Sequence, residues 1–252
     1  MRAIYLKTRI FLLTAIQWSF GAFNLQLRRL TKGTDLEDPD KEIRRLAGPD
    51  VRWIMEFGAA DGRDSKVLAA EYPNAKVLAL EPVPGSFEKL ALAAKNESRI
   101  IAREMAVSDK PGTQTLFLAS ERDASALSAP NQTGSAFDKH AENVGKVDVA
   151  VTTIDEQCAE LGIEHIDILK MDAQGAELLA LHGAESTLKR GAIGVIYTEI
   201  QFIKLYEQSC LFHELWHHLD GAGYALHNIY NLNHNEHGQL CWGDAIFVKR
   251  PT

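Results

Sequence analysis

The stretch "WIMEFGAADGRDSKVLA", Trp53 to Ala69, decides how the rest of the chain reads. An apolar run ends in an acid and an aromatic, two glycines follow four residues apart, and a helical pattern begins at once. A buried strand that turns sharply into a helix has this signature, and the glycines mark backbone that another group approaches closely. The pattern is E-x-G-x-x-x-G, formed by Glu56, Gly58 and Gly62. A dinucleotide fingerprint aligned from Gly58 meets Ala60 and Arg63 at its second and third glycines. The second glycine is the one that lets backbone reach a pyrophosphate. A phosphate loop fails too, because no Gly-Lys-Ser/Thr follows. An acid ahead of the turn repels a pyrophosphate and suits a cationic amino-acid group.

Outward from this turn, short apolar runs alternate with helical patterns. Strands are expected at 51–57, 75–81, 99–107, 165–172, 192–200, 224–230 and 243–249. Helices are expected at 41–46, 63–72, 86–97, 155–162, 176–191 and 203–223. Two runs rich in β-formers, "TQTLFLA" and "KVDVAVTTI", flank a Ser/Ala/Asn/Gly-rich stretch at 120–145, which reads as an inserted antiparallel pair carrying a long loop. Such a loop is a lid or binding loop or else disordered, and here it would shape the acceptor pocket. Strand–helix alternation implies a mostly parallel sheet covered on both faces, with ligands bound outside the carboxyl ends of its strands. Glu81 ends the second strand, where an acid accepts hydrogen bonds from both hydroxyls of a ribose. A ribose without a pyrophosphate, beside an acid suited to an ammonium, points to S-adenosyl-L-methionine.

Five strings, "EFGAADGRDS", "ALEPVPGSFEKL", "AVSD", "VTTIDE" and above all "IDILKMDAQGAELLALHGA", carry a resemblance. From about Val51 to Lys249 the chain resembles the FkbM family of S-adenosylmethionine-dependent methyltransferases; where the family pattern commonly has Glu, this chain has Gln174. The resemblance implies a class I methyltransferase fold, a Rossmann-like three-layer α/β sandwich. Its seven-stranded sheet is mostly parallel with the last strand antiparallel. It also implies methyl transfer to an oxygen of a small molecule or sugar. By the same resemblance Glu56, Gly58 and Gly62 line the methionine half of the cofactor, Glu81 takes the ribose, and Met105, Ala106 and Val107 lie near the adenine.

Asp172 ends the fourth parallel strand next to the first, where a carboxylate binds the acceptor hydroxyl or the cofactor amine. Lys170, two residues earlier, shares its strand face, so an internal ion pair with Asp172 is the alternative, and the site role for Asp172 is the one favoured. Glu199 ends the fifth strand, so Asp172 and Glu199 form a carboxylate pair able to act as general base. Glu177, early in the following helix, and His234, in an expected loop at 231–243, are the acceptor-side candidates. His213, Glu214 and His217 match a bare H-E-x-x-H, but the helix reads as a peripheral crossover and no metal site is assigned.

Composition sets the remaining bounds. With 252 residues, 46% of them hydrophobic and 24% charged, the chain has material for one large core. A net charge of −7 argues against non-specific nucleic-acid binding. Cys158, Cys210 and Cys241 form no paired spacing, which fits a reducing compartment and a cytoplasmic protein. Residues 1–32 carry six basic groups and no acid around "IFLLTAIQWSFGAFNLQL". This segment is marginal for a membrane span and reads as an amphipathic helix, covering the domain or lying on an anionic membrane surface. The chain therefore divides into this extension, a linker with a short helix at 33–50, and the methyltransferase domain at 51–252. Two alternatives stand beside the enzyme: a nicotinamide-dependent oxidoreductase, and a non-catalytic cofactor-binding protein held at membranes by its first residues.

Overall fold

The computed structural model describes residues 38–119, 125–129 and 143–251; the basic extension expected at 1–32 lies outside these. Helix α1 (Pro39–Ala47) starts where the Asp38 side chain accepts the Lys41 amide at 3.1 Å, and Gly48, at φ 72°, ends it. Its buried Glu42 pairs with Arg45 on the same helix and reaches His227 at 2.6 Å, which fastens α1 to a distant strand.

Strand β1 (Trp53–Phe57), helix α2 (Arg63–Glu71), strand β2 (Lys76–Leu80), helix α3 (Pro84–Asn96) and strand β3 (Ile100–Arg103) follow in that order. The third expected strand, 99–107, is in fact broken at Glu104–Met105. Its tail, β4 (Ala106–Val107), joins β5 (Gly112–Ala119) and β6 (Asn143–Thr152) in a separate three-stranded sheet. This is the inserted hairpin, with β5 and β6 antiparallel.

The second half contributes α4 (Ile154–Leu161), β7 (Ile166–Met171), α5 (Glu177–His182), α6 (Glu185–Lys189), β8 (Ile193–Gln201), α7 (Phe212–Gly221), β9 (Tyr224–His234) and β10 (Leu240–Lys249). Two expected helices are shortened. The 176–191 segment breaks at Gly183, where an added Cβ would sit 2.2 Å from the Ser108 carbonyl oxygen. The 203–223 segment is helical only from Phe212. The expected polar loop at 231–243 is mostly strand, because β9 and β10 pair as far as His234 opposite Leu240.

The main sheet has seven strands in the order β3-β2-β1-β7-β8-β10-β9. The first five are parallel to their neighbours, while β10 runs antiparallel between β8 and β9. The period-two alternation of the strands feeds two cores. Met55, Phe57, Leu169 and Met171 pack on the α4–α7 side, whereas Ile54, Val77, Ile168 and Val195 pack on the α1–α3 side. The strand order reverses at β1 and β7, which leaves a crevice at their carboxyl ends.

Candidate active site

The crevice opens where β1 enters its glycine turn. Gly58 has φ 68°, and a Cβ there would lie 2.0 Å from the carbonyl oxygen of Asp172. Only glycine therefore lets the ends of β1 and β7 close, with the Asp172 amide donating to the Phe57 carbonyl at 3.2 Å. Gly62, at φ 76°, begins α2 and packs against Leu90 of α3. Between them Ala60, at φ 47°, takes a left-handed conformation that costs an alanine more than it would cost a glycine. Its amide donates to Glu81 Oε2 at 2.8 Å, and the Val83 amide donates to Oε1 at 2.8 Å. The buried Glu81 carboxylate thus joins the loops after β1 and β2 and faces the crevice between them.

A cavity of about 370 Å³ fills this place. Gly58, Glu81, Met105, Ala106, Val107 and Asp172, all expected at the site, line it together. Ser125, Ala126 and Leu127 of the long insertion also reach it. The insertion is held there by paired backbone bonds between Ala126 and Phe117, at 2.8 and 3.1 Å. The Glu207 amide donates to Ala129 O and the Gln208 amide to Ser128 Oγ, both at 2.9 Å. Of the long loop expected at 120–145, the described residues 125–127 lie at the cavity.

Glu56 takes a different place from the one expected. It is fully buried beneath the turn, accepting from Ser65 Oγ at 2.5 Å and from Lys170 Nζ at 2.8 Å, and its side chain is not part of the cavity wall. Lys170 reaches Asp64 Oδ2 at 2.8 Å as well. Burial by itself would strip the Lys170 proton, but the charges of Glu56 and Asp64 outweigh it and hold the ammonium well above its ordinary range. Lys170 thus belongs to a Lys170–Glu56–Asp64 triad, and the alternative of a Lys170–Asp172 ion pair is not the arrangement found. Glu56 and Lys170 are register partners on adjacent strands, whereas Asp172 lies past the strand end.

Beyond β7, Asp172 accepts from Gln174 Nε2 at 2.7 Å. The same nitrogen lies 3.4 Å from Glu199 Oε2, and Gln174 Oε1 accepts from the Tyr206 hydroxyl at 2.5 Å. Gln174 itself stands at φ 50°, with Gly175 next at φ 93°. Glu177 braces this turn from below, its Oε1 accepting the amides of Ala173 at 3.0 Å and Gly175 at 3.2 Å. Burial, with the charge of Asp172 added, pushes the Glu177 carboxyl up to about 7. Burial and the charges of Asp172 and Glu177 also raise Glu199 well above its ordinary value.

Asp172 and Glu199 are therefore brought together, but through an amide, with Asp172 in the cavity wall and Glu199 behind it. Glu177 supports the turn rather than facing the cavity, and His234 is exposed at the end of β9, away from the cavity wall. Gln174 and Tyr206 were not expected as site residues. Tyr206 falls in a segment whose sequence reads as helix, and no spacing in the sequence marks it. Glu214 of the H-E-x-x-H string accepts the Leu211 amide at 2.7 Å and so starts α7; among the described residues no three metal-binding side chains gather.

A model of the Methyltransferase FkbM domain matches residues 56–226, which spans the glycine turn, Glu81, the hairpin and the acidic turn after β7. The chain belongs to the FkbM methyltransferase family. It is 29% identical over 204 residues to the 2-O-methyltransferase NoeI of Sinorhizobium fredii, covering 78% of this chain and 81% of that protein. It is 28% identical over 160 residues to the methyltransferase sdnD of Sordaria araneosa, covering 54% of this chain and 62% of that protein. Among solved structures, the methyltransferase FkbM of Methylobacillus flagellatus superposes with a TM-score of 0.48 at 16% identity. That match covers 77% of this chain and 44% of that one.

As an FkbM-family member the protein is an S-adenosylmethionine-dependent methyltransferase, and the nicotinamide and non-catalytic alternatives fall away. Its residues fit the cofactor. A carboxylate held by two amides stands at the end of β2, a second stands at the end of β7, and the intervening turn lacks the glycine that a pyrophosphate needs. No helix among the described residues is long and apolar enough to cross a membrane.

Proposed function

We propose that this methyltransferase acts on a hydroxyl of a small molecule or saccharide and that Asp172 is the group beside that hydroxyl. The observation that carries the reading is the position of Asp172. It is the carboxylate at the carboxyl end of the strand next to β1, in the wall of the same cavity as Glu81. Glu81 and the Met105–Val107 segment hold the nucleoside end of the cofactor, and the turn at Gly58–Gly62 holds its amino-acid end. S-adenosylmethionine, when bound, supplies an electrophilic methyl group.

The protein's own residues align and desolvate. Asp172 would accept a hydrogen bond from the acceptor hydroxyl, orient its oxygen toward the methyl, and take its proton as the methyl's bond to sulfur gives way to one with oxygen. Glu199, set back behind Gln174 and with its carboxyl raised well above the ordinary range, does not touch the acceptor. The 125–127 segment keeps water from the cavity. The name of NoeI, a 2-O-methyltransferase, supports oxygen as the receiving atom.

The test is methyl transfer from labelled S-adenosylmethionine to a panel of saccharides and small alcohols, with the matching amino sugars and amines alongside. Label on hydroxyl acceptors, abolished by Asp172→Asn, is the expected result. Label confined to the amines overturns the reading. The basic extension at 1–32 is proposed to cover the domain or rest on anionic lipid, and unchanged liposome sedimentation after its deletion removes the second role.

A further inference from the structure

We propose that Gln174 is the positioning residue of this site: its carboxamide, turned by Tyr206, is a permanent hydrogen-bond donor that holds Asp172 toward the ligand and Glu199 behind it. The inference rests on the reading of Asp172 given above. Three observations carry it. Gln174 occupies a left-handed conformation, at φ 50°, that residues other than glycine seldom adopt, so its side chain is kept there against backbone preference. Its nitrogen lies 2.7 Å from Asp172 and 3.4 Å from Glu199, so one NH₂ group bridges two acids. Its oxygen lies 2.5 Å from the Tyr206 hydroxyl.

The direction of the amide follows from these partners. An ionised carboxylate can only accept, so the NH₂ end must face Asp172 and the oxygen must face Tyr206. Burial, with Glu199, Glu177 and Asp172 nearby, holds the Tyr206 phenol protonated and therefore donating. Among the described residues, the titratable groups around this amide are Asp172 after β7, Glu177 of α5, Glu199 of β8 and Tyr206; Asp244 of β10 adds its charge to Glu199, and Cys210 lies near Glu177. An amide donates to this cluster at every pH. A carboxyl group in its place donates only while protonated, and once ionised it repels Asp172.

The experiment is calorimetric titration of the full-length chain with S-adenosylhomocysteine between about pH 6 and pH 8.5, comparing wild type, Gln174→Glu, Gln174→Gly and Asp172→Asn. Relative to wild type, Gln174→Glu binds nearly normally at the acid end and about tenfold more weakly at the alkaline end, where its ionised carboxylate turns Asp172 away from the ligand. Gln174→Gly relaxes the backbone, loses the donor, and is weakened by the same factor at every pH. A Gln174→Glu to wild-type ratio that does not change with pH overturns the inference. If Asp172→Asn binds as wild type, Asp172 faces the acceptor hydroxyl and not the cofactor, and cofactor affinity does not read its orientation. The Gln174 inference is then decided by melting the ligand-free proteins, where a constant difference between Gln174→Glu and wild type across the same range overturns it.

Discussion

Lys170 Nζ lies 2.8 Å from Glu56 Oε1, and this bond joins β7 to β1 directly beneath the glycine turn. The Glu56 side chain is wholly buried and that of Lys170 is 18% exposed. A buried pair of this kind adds little over an apolar replacement, but removing one partner strands the other's charge. Lys170→Met should therefore destabilise the protein by about 3 kcal/mol in a denaturant titration, and the double variant Glu56→Gln/Lys170→Met should recover a large part of that loss. Equal losses in the single and double variants would show that the pair is not what supports the turn.

Gly58 and Gly62 both take positive φ but should respond differently to alanine. At Gly58 the new Cβ meets backbone, the Asp172 carbonyl oxygen, at 2.0 Å; at Gly62 it meets Leu90 Cδ1 at 2.9 Å, Ala93 Cβ at 3.1 Å and Leu90 Cα at 3.3 Å, a milder crowding. Gly62→Ala is expected to cost at least about 1–2 kcal/mol, the ordinary left-handed penalty, plus whatever α3 yields to make room. Gly58→Ala should cost more than that and displace Asp172, read as loss of S-adenosylhomocysteine binding in whatever protein folds.

Glu81 accepts one backbone amide on each oxygen. Glu81→Gln keeps the shape but turns an NH₂ toward Ala60 or Val83, so one amide loses its acceptor. Each charge-assisted bond of this type is worth about 1.5–3 kcal/mol. The expected outcome is faster hydrogen exchange at Ala60 or Val83 and an affinity for S-adenosylhomocysteine reduced at least about tenfold; Glu81→Ala should weaken binding further.

Glu177 gives a pH dependence whose sign is fixed. Its carboxyl is raised from 4.5 to about 7 in the folded protein, so across that interval the native state binds more protons than the unfolded chain. Its contribution to stability is thus fully present below about 4.5 and is lost as pH rises through about 7. Glu177→Gln retains an acceptor oxygen for Ala173 and Gly175 and cannot ionise. Relative to wild type it should gain stability from pH 5 to pH 8, by on the order of 2 kcal/mol, in thermal or urea unfolding. A difference that stays constant with pH would show that Glu177 keeps its ordinary titration.

The sheet and the cavity were legible in the sequence because both depend on local signals. The apolar run before Gly58, the proline that follows Glu81 and the acid at the end of "HIDILKMD" each mark a strand end, and parallel strands bring their ends to one edge. What was not legible depends on register and long-range contact. Glu56 and Asp172 are both strand-end acids, yet one faces its neighbour Lys170 across the ladder and the other faces the cavity. Helical periodicity through 203–211 concealed an irregular segment that places Tyr206 against Gln174, and at Gly183, where one helix ends, the Ser108 backbone passes too close for a side chain. Neither contact leaves a trace in the spacing of the sequence.

Ala126, in the wall above the cavity, packs with Leu205 and Tyr206, and it is the hydroxyl of that same tyrosine that orients Gln174. The described part of the insertion and the turn that carries Asp172 thus share one aromatic anchor, so truncating Tyr206 loosens two sides of the chamber at once.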